Sequence, residues 1–282
     1  MKIMPFKASK KRERKPDAPI GVGAAIVPSA SIESWYIQQM ESIFDAMIYE
    51  YKSEIEKAFK NKDVKEFYAE DASVNSIFNK LFKRLQSKWT NVFKGFAKET
   101  SKKFVNKTEV QATAATLYSL KVAGLKSPVA AYNKNVYNTI EASKDFNYTL
   151  ITGLSDEAHE KMHEAVMLSL TSPDPAQQGQ ESIVKALSEV GIKTKERVKL
   201  IARDQTSKLY CSLSDQRMEE NGVEEFEWMH SSAGKVPRQT HLDRNGQIYK
   251  LNDPRLWEGP KADQGPPGWA INCRCRRRPI IR

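Results

Sequence analysis

The sequence predicts a mainly α-helical protein, in which a helical N-terminal body is followed by a small α+β C-terminal module. Apolar residues recur every three or four positions through the first half, which is the spacing of one helix face. Residues 171–180 are rich in Pro and Gly, and a strand-like alternation of apolar residues appears beyond them. We therefore divide the 282-residue chain into a basic arm (1–30), a helical domain (31–175) and an α+β module with an Arg-rich tail (180–282).

The net charge of +10 is concentrated at the two ends of the chain. Residues 1–30 hold seven basic and two acidic residues among several Pro and Gly, a composition that predicts a flexible arm. Residues 271–282 hold five Arg and no acidic residue. Clustered cations gain free energy by releasing the counterions of nucleic acid, although terminal basic residues can also serve solubility alone. We expect contacts to double-stranded DNA without sequence preference, made by Lys7, Lys10, Lys11, Arg12, Arg14, Lys15, Arg274, Arg276, Arg277, Arg278 and Arg282.

Two apolar stripes predict the helical body. The first follows Ser31, a candidate N-cap, and covers residues 32–51 at helical spacing. The second covers residues 74–96 and leaves lysines and one arginine for the opposite face. Because soluble chains rarely expose so many aromatic side chains, we expect this second stripe to be core.

Further helices are expected at residues 110–125, 156–170, 181–190 and 194–220. Gly191 is expected to end the third of these, and Thr194 to cap the fourth. Beyond them Phe226, Trp228 and His230 alternate with polar residues, which predicts a strand with one buried face. A turn that includes Gly246 leads to a second strand at 247–251, and an irregular loop follows at 252–269.

The cysteine content and the hydropathy limit the class of protein further. Cys211, Cys273 and Cys275 cannot all pair within the chain, which indicates a reducing, cytosolic origin. Charged residues interrupt every apolar stretch before it reaches the roughly 20 residues that a membrane helix needs. No membrane partner is therefore expected.

A set of residues in the last third of the chain carries a family resemblance. In order, these are Arg203, Trp228, Arg238, His241, Gly246, Pro266, Pro267, Asn272, Cys273 and Cys275. Their order and approximate spacing resemble the C-terminal module of the phage Mu F-like head morphogenesis family of minor head proteins. The closing Asn-Cys-Arg-Cys after the Pro-Pro loop is the most specific part of the resemblance.

The resemblance implies a role in the particle and not in metabolism. A member of this family is expected in few copies inside the procapsid and virion head, with the host cytoplasm as its location during assembly. It implies that the portal, capsid or scaffold proteins and packaged DNA are the partners, with an influence on DNA packaging or ejection. No enzymatic activity and no cofactor are implied.

Three other interpretations of single motifs remain open. His241, Cys273 and Cys275, with Cys211 or His230, could bind zinc, but the Cys-x-Cys spacing lacks the two-residue gap common in zinc sites. We therefore favour a packing role, in which Trp228, Trp257, Trp269 and the cysteines form a small core and no metal is bound.

The second and third alternatives are enzymatic. His159 and His163 fit the His-Glu-x-x-His pattern of zinc metalloproteases, but the surrounding turn is strongly charged, so two exposed histidines are expected instead. A DNA nuclease or a toxin-like effector could use His241 and Arg238 with Asp243 as acid–base and charge-stabilising groups. Neither alternative is preferred to a structural role.

Overall fold

A computed structural model describes residues 21–60, 71–232 and 236–282 of the chain. Four long helices dominate it, followed by one short helix and accompanied by a small antiparallel sheet. The helices are α1 (Ala30–Lys60), α2 (Asp71–Val122), α3 (Lys134–Thr171), α4 (Gly179–Glu220) and α5 (Gln239–Asp243). The predicted fold class, mainly α with a small α+β C-terminal part, is confirmed.

The core of the helical body is formed by the two stripes that the sequence predicts. On α1, Tyr36, Phe44 and Tyr51 are fully buried at helical spacing. On α2, Phe78 and Phe93 are buried, and Phe93 packs against Phe44 with ring centroids 4.8 Å apart. The aromatic stripe of α2 is therefore core, as expected.

The helices are longer than the sequence predicts. The segments expected at 110–125 and 156–170 are parts of α2 and α3, and the two expected at 181–190 and 194–220 are the single helix α4. These expected boundaries are wrong. In α4 packing offsets the weak helix propensity of Gly191, which costs about 1 kcal/mol, so the helix continues through it.

Gly191 and Thr194 show what these residues do within α4. A Cβ at Gly191 would lie 3.0 Å from Ile48 Cδ1, so the glycine allows α1 to approach closely. Thr194 is buried and its hydroxyl donates to the carbonyl of Val190, 2.8 Å away, as mid-helix threonines do. Gly191 therefore serves helix packing, and Thr194 is not an N-cap.

The sheet has the strand order β1-β4-β2-β3, with every pair antiparallel. Its strands are β1 (Gly21–Val22), β2 (Glu225–Met229), β3 (Ile248–Lys250) and β4 (Arg276–Ile281). The two strands expected from sequence correspond to β2 and β3, and the alternation is observed, since Phe226 and Trp228 are fully buried. The other two strands lie within segments that were expected to be arms.

The described part of the predicted N-terminal arm is folded onto the sheet. Gly21 and Val22 pair with the last strand, and the amides of Gly23 and Ile26 donate to carbonyls of Pro279 and Arg277 at 2.8 Å. A flexible arm is therefore wrong for residues 21–29. The predicted DNA contacts at Lys7, Lys10, Lys11, Arg12, Arg14 and Lys15 lie outside the described residues.

The Pro-rich stretch is a connection between two helices. α3 ends at Thr171, a short 3-10 turn covers Pro175–Gln177, and α4 begins at Gly179. α4 then packs against α1, α2 and α3 before its chain enters the sheet. The division into separate domains near this point stays a prediction. None of the described helices is both long and apolar enough to span a bilayer.

Candidate functional site

Arg203 connects the C-terminal loop to the helical body. It lies on α4, where its guanidinium donates to Asn272 Oδ1 at 3.1 Å and forms an ion pair with Glu33 of α1 at 3.4 Å. One side chain thus joins α1, α4 and the segment that leads into β4. This gives a structural reason for an arginine at the first position of the motif.

Asn272 turns the chain into the last strand. Its φ of 58° lies in the left-handed region, which asparagine tolerates better than most residues. Side chains alternate along the extended chain that follows, so Cys273 and Cys275 are buried on one side and Arg274 is half-buried between them. The Asn-Cys-Arg-Cys motif is therefore a turn followed by two inward-facing thiols.

Both thiols face the imidazole of His241. This residue lies on α5 and is only 3% exposed. Its Nε2 lies 3.0 Å from the carbonyl oxygen of Asp263, which can only accept, so the hydrogen-bond network assigns the ring proton to Nε2. The lone pair of Nδ1 is then directed at the cysteines, with Cys273 Sγ at 3.5 Å and Cys275 Sγ at 3.6 Å.

Asp263 fixes the position of His241 on the side of the ring opposite the cysteines. Its carboxylate pairs with Arg238 at 2.8 Å and accepts from the hydroxyl of Thr240, also at 2.8 Å. Arg238 in turn donates to the carbonyl of Ile271 at 2.9 Å, next to the Asn272 turn. Sequence reasoning missed Asp263, because an acidic residue in a polar loop has no periodic signal.

The remaining motif residues shape the surroundings of this cluster. Trp228 is fully buried, and its ring meets that of His241 edge-on at 5.1 Å. Gly246 has a φ of 76° and donates to the Trp228 carbonyl at 2.8 Å, which closes the turn before β3. Pro266 and Pro267 are buried, and the Pro267 carbonyl accepts from Arg277 at 3.1 Å. The motif residues thus converge on one site.

Two of the tryptophans assigned to this small core are not in it. Trp257 and Trp269 are 52% and 38% exposed, and they pack against each other with ring centroids 6.4 Å apart. The expectation that they fill the core with Trp228 is wrong. They lie on the irregular loop between β3 and β4.

The local environment differs between the three thiols. A hydrogen bond from Cys275 lowers the pKa of Cys273, as do hydrogen bonds from the backbone N–H groups of Cys275 and Gly268. Burial raises the pKa of Cys211, whose sulfur accepts from Arg277. Among the described residues, His241, Cys273 and Cys275 are the one group whose donor atoms, all within 4.8 Å of one another, could hold a metal ion.

The cluster borders an open pocket with a volume of about 620 Å³. His230 and Arg238 line its wall together with the Asn272–Cys275 motif. His230 accepts at Nδ1 from the backbone N–H of Ser232 at 3.2 Å. The side of His241 that faces the cysteines therefore forms part of the pocket lining.

Three of the five arginines of the C-terminal tail form ion pairs within the protein. Arg277 is buried and forms an ion pair with Asp215. Arg278 pairs with Glu227 at 2.7 Å, and Arg282 pairs with Glu225 at 2.6 Å. The expected free cationic arm is wrong for residues 276–282, because they form β4 and its cross-strand pairs. Arg276 is half-buried and donates to the carbonyl of Cys275, and Arg274 lines the pocket.

The His-Glu-x-x-His motif does not assemble a metal site. His159 is 2% exposed and hydrogen-bonded through Nδ1 to the Tyr51 hydroxyl at 2.7 Å, while His163 contacts Asn79 through Nε2 at 3.1 Å. In the part of the chain that is described, no further donor joins them in a metal-binding group. The expectation that both histidines are exposed is wrong, because this face of α3 packs against α1 and α2.

The geometry does not favour the nuclease alternative either. Both ring nitrogens of His241 are engaged, one by Asp263 and one by the thiols. Arg238 is paired with Asp263, and Asp243 accepts from Gln239 at the surface. None of these groups is free to act on a phosphodiester.

Comparison with known proteins agrees with this geometry. Residues 153–278 match the family model described as Phage Mu protein F like protein. The resemblance of the C-terminal module to that family is confirmed. The matched segment begins within α3 and contains every motif residue named above. The match points to a phage head-related protein of a typically structural class, and so to the virion at a coarse level.

A protein of Haemophilus influenzae that is named only as uncharacterized is 28% identical over 258 residues, which is 90% of this chain and 54% of that protein. The chain thus spans about half the length of this relative. No solved structure matches the chain.

Proposed function

We propose that this chain is a minor head protein that acts in phage head morphogenesis. In this proposal it lies in few copies in the interior of the procapsid, contacts the portal and capsid or scaffold proteins, and touches packaged DNA. The observation that carries the proposal is the family match over residues 153–278, whose motif residues all meet around one buried site. A structural role agrees with a site in which most polar groups have hydrogen-bond or ion-pair partners within the protein.

A cationic face on α2 supports contact with DNA. Its exposed members are Lys80, Lys83, Lys94, Lys98 and Lys102. At 100° per residue they fall within about 100° of the helix circumference and span about 33 Å, close to one turn of duplex DNA. Glu99 is the one acidic residue between positions 76 and 107.

The positive charge of this face is not neutralised by acidic side chains among the described residues. Its neighbours Arg84 and Lys88 pair with Glu54 and Glu50 of α1. Among the described residues, the five lysines of the cationic face have no such acidic partner. In the proposed function this face replaces the C-terminal arginines as the contact to DNA phosphates.

The proposal is tested by particle composition. The chain is co-expressed with the portal, scaffold and capsid genes of the same phage, and particles are purified and quantified by mass spectrometry. We expect a few copies per particle, protected from added trypsin until the shell is opened. Particles assembled without the portal should lose the chain. Absence from purified particles, or full trypsin sensitivity in closed shells, would contradict an interior minor head protein.

A further inference from the structure

We propose that His241, Cys273 and Cys275 bind one zinc ion, through His241 Nδ1 and the two Sγ atoms. This metal site lies within the C-terminal module, and its existence does not depend on the function proposed above. It rests on donor spacing, on the hydrogen bonding behind the histidine, and on the pocket in front of the thiols.

The spacing of the donor atoms fits tetrahedral coordination. Zinc–sulfur bonds of about 2.3 Å and zinc–nitrogen bonds of about 2.0 Å, at a tetrahedral angle, separate nitrogen from sulfur by about 3.5 Å. The observed separations from His241 Nδ1 are 3.5 Å to Cys273 and 3.6 Å to Cys275. One lone pair on Nδ1 can accept from only one thiol, whereas a shared ion explains two sulfurs at equal distance.

The histidine is oriented as metal-ligating histidines are. Such residues donate their other ring N–H to a carbonyl or carboxylate, which fixes the tautomer that leaves a lone pair for the metal. Here Nε2 donates to the Asp263 carbonyl at 3.0 Å, and Arg238 and Thr240 hold Asp263 in place. The hydrogen bonds that orient the imidazole are therefore present in the fold.

The donor set selects zinc among common cations. Two thiolates and one imidazole suit zinc and exclude magnesium or calcium, which prefer oxygen ligands. An ion at this point would join α5 directly to the residues that lead into β4, which are separated along the chain by β3 and the irregular loop. A small α+β unit gains stability from such a cross-link.

The fourth ligand is assigned to water from the pocket. His230 lines the same pocket, but its Nδ1 accepts from Ser232, so the ring proton of a neutral His230 lies on Nε2 and leaves no lone pair for the metal. Cys211 is in contact with Arg277 and lies outside the group of three donors. Neither residue is required for binding in this proposal.

The first test measures the metal content of the full chain. Protein purified from zinc-supplemented cells, or reconstituted with zinc and dialysed, is analysed by elemental mass spectrometry. We expect about one zinc per chain, falling at least about tenfold in Cys273→Ser and in Cys275→Ser. Cys211→Ser is the matched control, because it removes a third buried thiol from the same module, and it should retain the zinc, as should His230→Ala.

The second test does not depend on the variants folding. Cobalt(II) is added to the metal-free native chain, and thiolate-to-cobalt charge-transfer absorption together with intense visible bands should appear at one equivalent. Less than about one tenth of an equivalent of zinc in folded chain, or an octahedral cobalt spectrum without thiolate bands, would overturn the proposal. Equal zinc loss in Cys211→Ser with an unchanged circular dichroism spectrum would also overturn the ligand assignment.

Discussion

Asn272 has a backbone conformation that most residues avoid, and this conformation sets the direction of the two thiols that follow. Its side chain also accepts from Arg203, so the residue acts through both backbone and side chain. The motif position is thus explained by a turn and not by reactivity.

Substitution of Asn272 should separate these two effects. Asn272→Gly keeps the left-handed conformation and loses only the partly exposed hydrogen bond, so we expect a loss of at most about 1 kcal/mol in unfolding free energy. Asn272→Val should cost about 1–2 kcal/mol more, because a β-branched residue is strained at this φ. Urea unfolding measures both. Equal losses in the two variants would refute the conformational explanation.

His159 is the second residue whose environment changes its chemistry. Burial lowers its pKa from 6.5 to about 4, although Asp156 opposes the shift. Between these two values the unfolded chain binds a proton that the folded chain does not. Stability is therefore lost as the pH falls through this range and is fully present above about pH 6.5.

The expected contribution is about 3 kcal/mol of unfolding free energy lost between pH 7 and pH 4, at about 1.4 kcal/mol per pKa unit. Other groups titrate in the same range, so the measurement is the difference between the native chain and His159→Gln in urea unfolding at each pH. His163→Gln is the matched control and should keep the pH dependence of the native chain. A native chain and His159→Gln with parallel pH profiles would rule the effect out.

At the scale of elements, α4 connects the helical body to the sheet, and its last turns are held by Arg217. This side chain is 2% exposed and contacts the loop before α3 as well as α2. It pairs with Glu220 at 2.8 Å and Glu109 at 3.2 Å. Helical periodicity alone does not reveal such a residue, because an arginine at this position could equally face solvent.

Arg217→Met should destabilise the protein by about 3–5 kcal/mol, because it leaves the largely buried Glu220 without its cation. A second change, Glu220→Gln, should recover part of that loss by removing the unpaired charge. Thermal or urea unfolding of the single and double variants measures the difference. A single variant within about 1 kcal/mol of the native chain would show that the network contributes little.

The last strand of the sheet, β4, is the second feature at this scale that differs from expectation. Arg276–Ile281 was expected to be a solvated tail, yet it forms the longest strand of the sheet. Cross-strand pairs with Glu225 and Glu227 offset its positive charge. A run of arginines therefore indicates an arm only where no acidic strand faces it.

At the scale of the whole molecule, α2 carries a row of five exposed lysines on one face. The cationic face defined above should bind DNA through phosphates, with affinity that falls as salt rises. Each lost phosphate contact reduces the slope of log affinity against log salt by about 0.9.

The combined variant Lys94→Ala, Lys98→Ala and Lys102→Ala should therefore reduce this slope by about 2–3, measured by fluorescence anisotropy with random-sequence duplexes. The control Lys185→Ala, Lys193→Ala and Lys261→Ala removes the same charge from exposed sites elsewhere and should leave the slope nearly unchanged. Equal reductions in both would assign the effect to net charge and not to the face.

The sequence by itself determined the buried faces of α1 and α2, the positions of β2 and β3, and the family that the module resembles. These features depend on residues that are neighbours along the chain, so periodicity and motif order reveal them. The tertiary structure decided the helix lengths, the burial of His159 and the pairing of the C-terminal arginines with acidic residues. It also brought His241 together with Cys273 and Cys275. These outcomes depend on partners far away in sequence, such as Asp215 for Arg277 and Tyr51 for His159, whose proximity only the folded chain creates.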